Sequence, residues 1–188
     1  MKIIAITTPK VIDEDAFIIK GLIDRGVDMI HLRKPDSTID ECRRLLEMLG
    51  KELRQKIVVH DYPELFDEFS LRGIHINRNV TTYPQGYDGL RTRSCHTLEE
   101  VVRYKGECDY LFLSPIFDSI SKRGYLSRFD EEELRRASMS GIIDEKVVAL
   151  GGVTFDKIAY LQGLNFGGVA MVGEIYGVEE MNRLRRDL

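Results

Sequence analysis

The sequence predicts an α/β protein, a compact (β/α)8 TIM barrel, and two observations carry this prediction. Short apolar runs alternate with longer segments whose apolar residues recur at helical spacing, which is typical of βα units around a parallel sheet. Eight such runs occur in 188 residues, whereas an open doubly wound sheet usually has about five or six strands. Because a (β/α)8 barrel typically takes about 250 residues, we expect a trimmed barrel that forms one domain over residues 1–188.

The eight predicted strands are short apolar runs that end in polar or small residues. They are residues 2–7, 28–33, 56–60, 73–76, 90–95, 109–114, 146–150 and 167–172. Alternation with period two places Ile30 and Ile74 on the side of the sheet that packs against helices. The same alternation places His31, Arg33 and His75 on the opposite side, where a barrel carries its polar groups.

The predicted helices fill the intervals between these strands. They are residues 13–25, 38–53, 62–70, 97–105, 130–139, 154–162 and 174–186. The segment 38–53 has the clearest amphipathic spacing, and Thr38 with Glu41 forms a capping box at its start. Residues 77–89 lack a helical pattern and predict a loop, so the barrel is trimmed between its fourth and fifth strands.

Composition and charge narrow the class of protein. With 43% hydrophobic residues, the chain can form a core without disulfides or a structural metal. A net charge of −4 argues against nucleic-acid binding, and no apolar run is long enough for a membrane helix or a signal peptide. The cysteines Cys42, Cys95 and Cys108 form no C-x-x-C pair. We therefore expect a cytoplasmic protein that binds small molecules, with neither nucleic-acid nor membrane partners; a homo-oligomer is compatible with the sequence.

All four histidines lie at or near the carboxyl ends of strands, where barrels of this type carry their active sites. They are His31, His60, His75 and His96. Imidazole is a common zinc ligand, but no H-x-H or H-E-x-x-H pair occurs and each histidine belongs to a different strand. We therefore interpret them as hydrogen-bonded polar groups of the barrel mouth rather than as metal ligands.

Glycines follow the last two strands and predict a phosphate site. Gly151 and Gly152 come after strand seven, and Gly173 comes after strand eight. Glycines allow backbone N–H groups to approach a phosphate, and loops seven and eight are the usual phosphate site of this fold. The alternative is a tight turn before the helix that opens at Thr154.

The long loop after strand six combines hydroxyl groups with cations. Ser119, Ser121, Lys122 and Arg123 lie within five positions and could bind a phosphate or diphosphate. A long loop at a barrel mouth is typical of a lid or substrate wall, and an ordinary solvated loop is the alternative.

In order along the chain, these strand ends resemble those of the thiamine phosphate synthase and thiazole tautomerase family. The matching segments are HLRKP at 31–35 (Q-L-R-E-K in the family), HDYPELF at 60–66 (N-D-x-x-x-L-A), GIHI at 73–76 (G-V-H-L), SCHT at 94–97 (S-x-H-T/S), SPIFDSISK at 114–122 (G-P-I-F-P-T-x-T-K), ALGGV at 149–153 (A-L-G-G-I) and GGVAMVGEI at 167–175 (G-V-A-V-V-S-A-I). The resemblance covers essentially the whole chain, which is more specific than any one motif.

The resemblance implies a (β/α)8 barrel and a synthase activity. That activity joins hydroxymethylpyrimidine diphosphate to thiazole phosphate and gives thiamine phosphate and diphosphate. With the residues above, it gives catalytic candidates Arg33, Ser94, His96 and Lys122, substrate-binding candidates His31, Lys34, His60, His75, Ser119, Ser121, Gly151, Gly152, Val172 and Gly173, and Asp61 as the one acidic ligand of Mg²⁺.

The chain departs from the family pattern at informative positions. His31 replaces the Gln of Q-L-R-E-K, and His60 replaces the Asn before the aspartate. Pro35 occupies the position of the second cation in Q-L-R-E-K, and Lys34 lies one position earlier. The family's second magnesium aspartate falls near Val80, where the chain has no acid.

Two alternatives therefore stay open beside the synthase. One is a thiazole tautomerase in which a histidine is the general acid/base, although Pro115 stands where such members have a catalytic histidine. The other is a non-catalytic protein that binds thiazole phosphate or thiamine phosphate.

Overall fold

The structure is a computed structural model that describes residues 1–118 and 127–172. Eight strands form a closed barrel in the order β1 to β8, and every recorded strand pair is parallel. The strands are β1 (Lys2–Ile6), β2 (Met29–Leu32), β3 (Ile57–Val59), β4 (Gly73–Ile76), β5 (Leu90–Cys95), β6 (Tyr110–Leu113), β7 (Val147–Leu150) and β8 (Gly168–Met171). The predicted fold class and all eight strands are thus confirmed; β4 and β5 have the predicted bounds, and the other six strands are shorter than predicted.

Helices occupy most of the intervals between strands. They are α1 (Asp15–Asp24), α2 (Ile39–Glu47), α3 (Lys51–Arg54), α4 (Leu65–Phe69), α5 (Leu98–Tyr104), α6 (Glu131–Met139) and α7 (Ile158–Gly163), with 3₁₀ turns at Lys105–Glu107 and Phe155–Lys157. Residues 77–89 form no helix, which confirms the predicted loop. The predicted helix 174–186 lies outside the described residues.

The prediction of one helix over residues 38–53 is wrong in one respect. The capping box of Thr38 and Glu41 is present at the start of α2, but the helix ends at Glu47 and α3 begins after Gly50. The backbone of Gly50 is extended, with φ −64° and ψ 159°. Glycine costs about 1 kcal/mol in a helix interior relative to alanine, so the segment breaks there.

Helix α4 begins three residues later than the sequence predicts, at Leu65. Tyr62 has a positive φ of 56° and precedes Pro63. The ring of a proline disfavours the helical region for the residue before it. Tyr62 is therefore in a turn, and its hydroxyl donates a hydrogen bond of 2.6 Å to the carbonyl of Ser37.

The chain divides into two compact units. One consists of Met1–Ile3 and Arg91–Met171, and in it β5, β6, β7 and β8 pair in sequence. The other contains Ile4–Leu90, and in it β1, β2, β3 and β4 pair in sequence. Strand residues of both units, such as Ile4, Ile30, Leu111 and Val148, are fully buried. The single domain over residues 1–188 stays a prediction.

All three cysteines of the chain lie within the described residues. Cys42, Cys95 and Cys108 are buried and free, and none forms a disulfide. Within the two described ranges, no helix has the length and the apolar character that crossing a membrane requires.

Candidate active site

Strand register brings three of the four histidines together. His31 in β2 lies level with Val58 in β3, and Val58 lies level with Gly73 in β4. Counting two residues onward along both strands places His60 level with His75. Residues that are level in neighbouring parallel strands point to the same face, and so do residues two apart in one strand. The side chains of His31, His60 and His75 therefore converge, although they come from three strands.

The three imidazoles form a compact cluster, which we call the histidine cluster. Nδ1 of His31 lies 2.7 Å from Nε2 of His60, at hydrogen-bond distance. The rings of His60 and His75 stack with centroids 4.0 Å apart, and His31 meets both rings edge-on. His31 and His75 are 0% exposed and His60 is 5% exposed. The prediction that these histidines are hydrogen-bonded is confirmed for His31 and His60. The three rings are buried and in contact with one another, which their origin in three different strands did not suggest.

Burial keeps two members of the cluster neutral. Loss of hydration lowers the pKa of His31 well below its usual value, and electrostatic interaction with His75 lowers it further. The pKa of His60 is lowered for the same main reason, with further contributions from His75, His31 and Arg33. Neutral imidazole has one nitrogen that can accept a proton or bind a metal.

Arg33 is held at the end of β2 by a buried hydroxyl. The hydroxyl of Thr7 donates to the carbonyl of Arg33 at 3.0 Å and accepts from the N–H of Arg33 at 2.9 Å. Thr7 is 1% exposed, so both hydrogen bonds are shielded from water. Thr7 thus fixes the backbone of a predicted catalytic cation, a positioning role that the sequence did not reveal.

Asp61 lies beside Arg33 and is partly buried. Its Oδ2 accepts the N–H of Lys34 at 2.9 Å. Burial raises the pKa of Asp61, while the Lys34 hydrogen bond and the charge of Arg33 act in the opposite direction. The residue is therefore a carboxylate with a cation nearby, which suits both a metal and a diphosphate.

The residues around Asp61 fit one Mg²⁺ only if most of its ligands come from elsewhere. Asn77 could have supplied a second oxygen, but its Oδ1 already accepts the N–H groups of Asn79 and Val80, at 2.8 and 3.0 Å. No acid stands at residues 77–80. Mg²⁺ commonly binds one or two carboxylates and completes its shell with water and phosphate oxygens, so a single carboxylate fits that pattern.

Lys34 occupies a different environment from the one its sequence position suggested. Its ammonium is 1% exposed, lies 2.6 Å from Oδ2 of Asp15 in α1, and donates to the carbonyl of Lys10 at 2.9 Å. Asp15 is also 1% exposed. Contact between Lys34 and substrate stays a prediction, and it would require the ammonium to leave this buried pair.

In the other unit, His96 and Ser114 meet at the ends of β5 and β6. Nδ1 of His96 lies 2.9 Å from the carbonyl of Ser114 and 3.3 Å from its hydroxyl. His96 is exposed, whereas Ser114 is buried. Ser94, two residues before His96, is partly buried in β5. The ring of His96 is thus oriented by a backbone carbonyl and remains accessible to a ligand.

Neighbouring residues leave no room for a side chain at either glycine of the pair after β7. Gly151 and Gly152 have positive φ angles of 93° and 59°. A Cβ on Gly151 would lie 2.8 Å from Cα of Pro115, and a Cβ on Gly152 would lie 2.3 Å from the carbonyl oxygen of Asp118. The loop after β6 therefore packs directly on this turn, which supports the tight-turn interpretation and leaves the phosphate site a prediction.

A cation that the sequence reasoning missed lies beside the glycine pair. Nζ of Lys157 donates to the carbonyl of Gly152 at 2.7 Å and lies 4.2 Å from the ring centroid of Phe117. Lys157 ends the 3₁₀ turn before α7. The available signal was a lysine five residues after a glycine of the predicted phosphate site.

Several predicted site residues lie outside the described part of the chain. They are Ser119, Ser121, Lys122 and Gly173. Val172 is described and is 38% exposed at the end of β8.

Comparison with known proteins agrees with this arrangement. The family described as Thiamine monophosphate synthase matches residues 3–175. The chain belongs to this family. A crystal structure of thiamine phosphate pyrophosphorylase from Bacteroides thetaiotaomicron superposes with a TM-score of 0.88 at 34% identity, covering 99% of this chain and 96% of that one.

Curated relatives are similar at lower identity. A thiamine-phosphate synthase of Halalkalibacterium halodurans is 25% identical over 165 residues, which is 83% of this chain and 77% of the relative. A thiamine-phosphate synthase of Photorhabdus laumondii is 27% identical over 174 residues, 88% of this chain and 80% of the relative. The resemblance stated from the motifs is thereby confirmed.

Proposed function

We propose that this member of the thiamine monophosphate synthase family is a thiamine phosphate synthase. It joins hydroxymethylpyrimidine diphosphate to thiazole phosphate and releases diphosphate. The observation that carries the proposal is the family match over residues 3–175, which spans all eight strands of the barrel. The relatives compared above are named for this activity, so the synthase is favoured over the tautomerase and the binding protein.

The reaction requires a group that stabilises departing diphosphate. The bond between the pyrimidine methylene carbon and the diphosphate oxygen breaks, and its electron pair leaves with the diphosphate. The thiazole nitrogen then donates its lone pair to the methylene carbon and forms the new C–N bond. A cation near the leaving oxygens acts mainly in the transition state, because negative charge grows there as the bond breaks.

Arg33 is the described residue best placed for this role. The hydroxyl of Thr7 bonds both the N–H and the carbonyl of Arg33, so the backbone that carries the guanidinium is held in place. A guanidinium offers five N–H donors and binds phosphate oxygens in a bidentate manner. Lys122 is proposed as the second cation on the resemblance of its loop, and it lies outside the described residues.

Asp61 is proposed as the protein ligand of Mg²⁺. Such an ion neutralises charge on a diphosphate when both are bound. Its Oδ2 accepts the N–H of Lys34, and Oδ1 is the oxygen that would bind the ion. Burial raises the pKa of Asp61, whereas the hydrogen bond from Lys34 and the charge of Arg33 favour the ionised carboxylate, which is the form that would bind the ion.

The thiazole phosphate is proposed to bind near the turn after β7. Gly151 and Gly152 turn the backbone sharply there, and Lys157 contributes a positive charge. His96, which is exposed and whose Nδ1 donates to the carbonyl of Ser114, lies in the same unit. We also propose a cytoplasmic location, because Cys42, Cys95 and Cys108 are free and thiols persist in a reducing compartment.

A diphosphate-release assay with both substrates and Mg²⁺ tests this proposal. Arg33→Ala should lower kcat/KM by at least about a hundredfold, since one charge-stabilising group is typically worth that much. Arg43→Ala is the matched control, because Arg43 pairs with Asp40 and Glu68 at the surface of the same unit. Equal rates for the two variants, or a rearranged thiazole phosphate without diphosphate release, would contradict the proposal.

A further inference from the structure

We propose that the histidine cluster, His31, His60 and His75, is a binding site for a divalent transition metal of the Zn²⁺ type. This inference goes beyond the synthase reaction and does not depend on it. It rests on the positions of three imidazoles that belong to one unit of the chain.

The nitrogen atoms of the cluster already lie close to the spacing that a metal requires. One ligand nitrogen from each of the three histidines lies within 4.8 Å of the others. In a tetrahedral zinc site with Zn–N of 2.0–2.1 Å, two nitrogens lie about 3.4 Å apart. The 2.7 Å contact between His31 and His60 must therefore open slightly while the other separations close.

The backbone holds the three ligands on fixed elements. His31 and His75 lie within β2 and β4, and His60 directly follows β3. The amide of Asn77 donates to the carbonyl of His60 at 2.9 Å, which ties the end of β3 to the end of β4. Sites built on strands keep their geometry better than sites on loops. The spacing of the three nitrogens is thus set by the sheet register.

The donor set selects the class of metal. Three imidazoles without a thiolate suit Zn²⁺, Co²⁺, Ni²⁺ or Cu²⁺, whereas Mg²⁺ prefers oxygen ligands. The cluster is therefore chemically distinct from the proposed magnesium site at Asp61. Three protein ligands leave a fourth position for water or for an atom of a bound molecule.

The protonation states and charges around the cluster are compatible with a metal. Neutral imidazole is the form that binds a metal, and burial keeps His31 and His60 neutral. For both facing nitrogens to bind, the ring that donates the shared hydrogen bond must change tautomer, which alters no net charge. The positive charge of Arg33 would repel a metal ion bound at the cluster. The carboxylate of Asp61, which interacts with Arg33, offsets that charge.

The test is a metal titration of the full chain, purified without a histidine tag and freed of metal by dialysis against a chelator. Zn²⁺ is titrated in competition with a chromophoric chelator. We expect one Zn²⁺ per chain. His31→Gln and His60→Asn, which place an amide where each imidazole stands, should each weaken binding by at least about tenfold.

His96→Gln is the matched control, because it removes a histidine that belongs to the other unit. It should keep the affinity of the wild-type chain. Absence of Zn²⁺ binding by the wild-type chain, or equal affinity in all three variants, would overturn the proposal. Circular dichroism shows whether each variant is folded.

A second readout uses only the wild-type chain, so it does not depend on the folding of any variant. Co²⁺ bound by three imidazoles in a four-coordinate site has intense visible absorption bands, whereas hydrated octahedral Co²⁺ absorbs weakly. We expect the intense bands to saturate at one Co²⁺ per chain and to disappear when Zn²⁺ is added. A spectrum that stays weak throughout the titration would overturn the site.

Discussion

His60 and His75 stack face to face, with ring centroids 4.0 Å apart and ring planes 13° from parallel. The stacking follows from register, because Val58 lies level with Gly73 and the two histidines stand two residues further along each strand. Neighbouring strands are about 4.8 Å apart, which is close to the stacking distance of two aromatic rings. The register therefore places each of these two histidines in contact with the other, and His31 in β2 is the third member of the cluster.

Thr7 should control both stability and activity through Arg33. Thr7→Val removes the hydroxyl that bonds the N–H and the carbonyl of Arg33, leaving buried backbone groups without that partner. We expect a loss of about 1–3 kcal/mol in the free energy of unfolding, measured by urea denaturation, together with a lower kcat. The control is Thr8→Val, since the hydroxyl of Thr8 donates a long, exposed hydrogen bond of 3.5 Å to the carbonyl of Lys10. Similar losses in both variants would contradict the positioning role.

Breaking the buried ion pair of Lys34 and Asp15 should lower the free energy of unfolding strongly, and replacing both partners should lower it less than the two single losses added together. Lys34→Met leaves the carboxylate of Asp15 buried without its cation, and Asp15→Asn leaves the ammonium of Lys34 in the same condition. Each should lower the free energy of unfolding by about 3–5 kcal/mol. The double variant Asp15→Asn with Lys34→Met should lose less than the sum of the two single losses. Strict additivity in chemical denaturation would show that the pair does not act as a unit.

The histidine cluster should make the metal-free protein sensitive to acid. The pKa values of His31 and His60 are lowered in the folded protein, so the unfolded chain binds protons that the folded chain does not. Their neutral state therefore costs nothing above about pH 6.5 and destabilises the fold increasingly as the pH falls below it. Urea denaturation with a chelator present, from about pH 8 down to about pH 5, should show this decline.

The decline should be smaller in a double variant with His31→Gln and His60→Asn, because amides do not titrate. The neighbouring groups His75 and Arg33 remain in that variant, so it isolates the contribution of the two replaced rings. A pH dependence identical to that of the wild-type chain would show that other groups cause the acid sensitivity.

Gly152 should not tolerate alanine. A Cβ there would lie 2.3 Å from the carbonyl oxygen of Asp118, on a residue with φ of 59°. We expect Gly152→Ala to lower the free energy of unfolding by about 2 kcal/mol or more, since strain and overlap add. Gly106→Ala is the control, because a Cβ at Gly106 has no neighbour within 4 Å. Equal melting temperatures for the two variants would contradict the packing described.

Much of the fold could be predicted because its signals are local. Alternation within each strand gave the direction of His31 and His75, and the hydroxyl of Thr38 with the carboxylate of Glu41 marked the start of α2. The break at Gly50 and the late start of α4 also have local causes, in glycine and in the residue before Pro63. Those two were missed because apolar spacing alone was used to extend each helix.

The candidate site was harder to predict because it depends on register and on distant contacts. The histidines were judged unlike a metal site because they come from different strands, and only the pairing of β2, β3 and β4 shows that they converge. The sequence predicts Lys34 as a ligand-binding cation because no local pattern shows that Asp15, in a preceding helix, reaches it. The glycine pair suggested a phosphate, while Pro115 and Asp118 supply a packing reason that no local pattern contains.

The most direct test of the central claim is product analysis by mass spectrometry. The chain is incubated with hydroxymethylpyrimidine diphosphate, thiazole phosphate and Mg²⁺, and both products are quantified over time. If it is a thiamine phosphate synthase, thiamine phosphate and diphosphate should appear in equal amounts, and a chelator should slow both. An isomerised thiazole phosphate as the only product, or binding of thiazole phosphate without any product, would contradict the synthase.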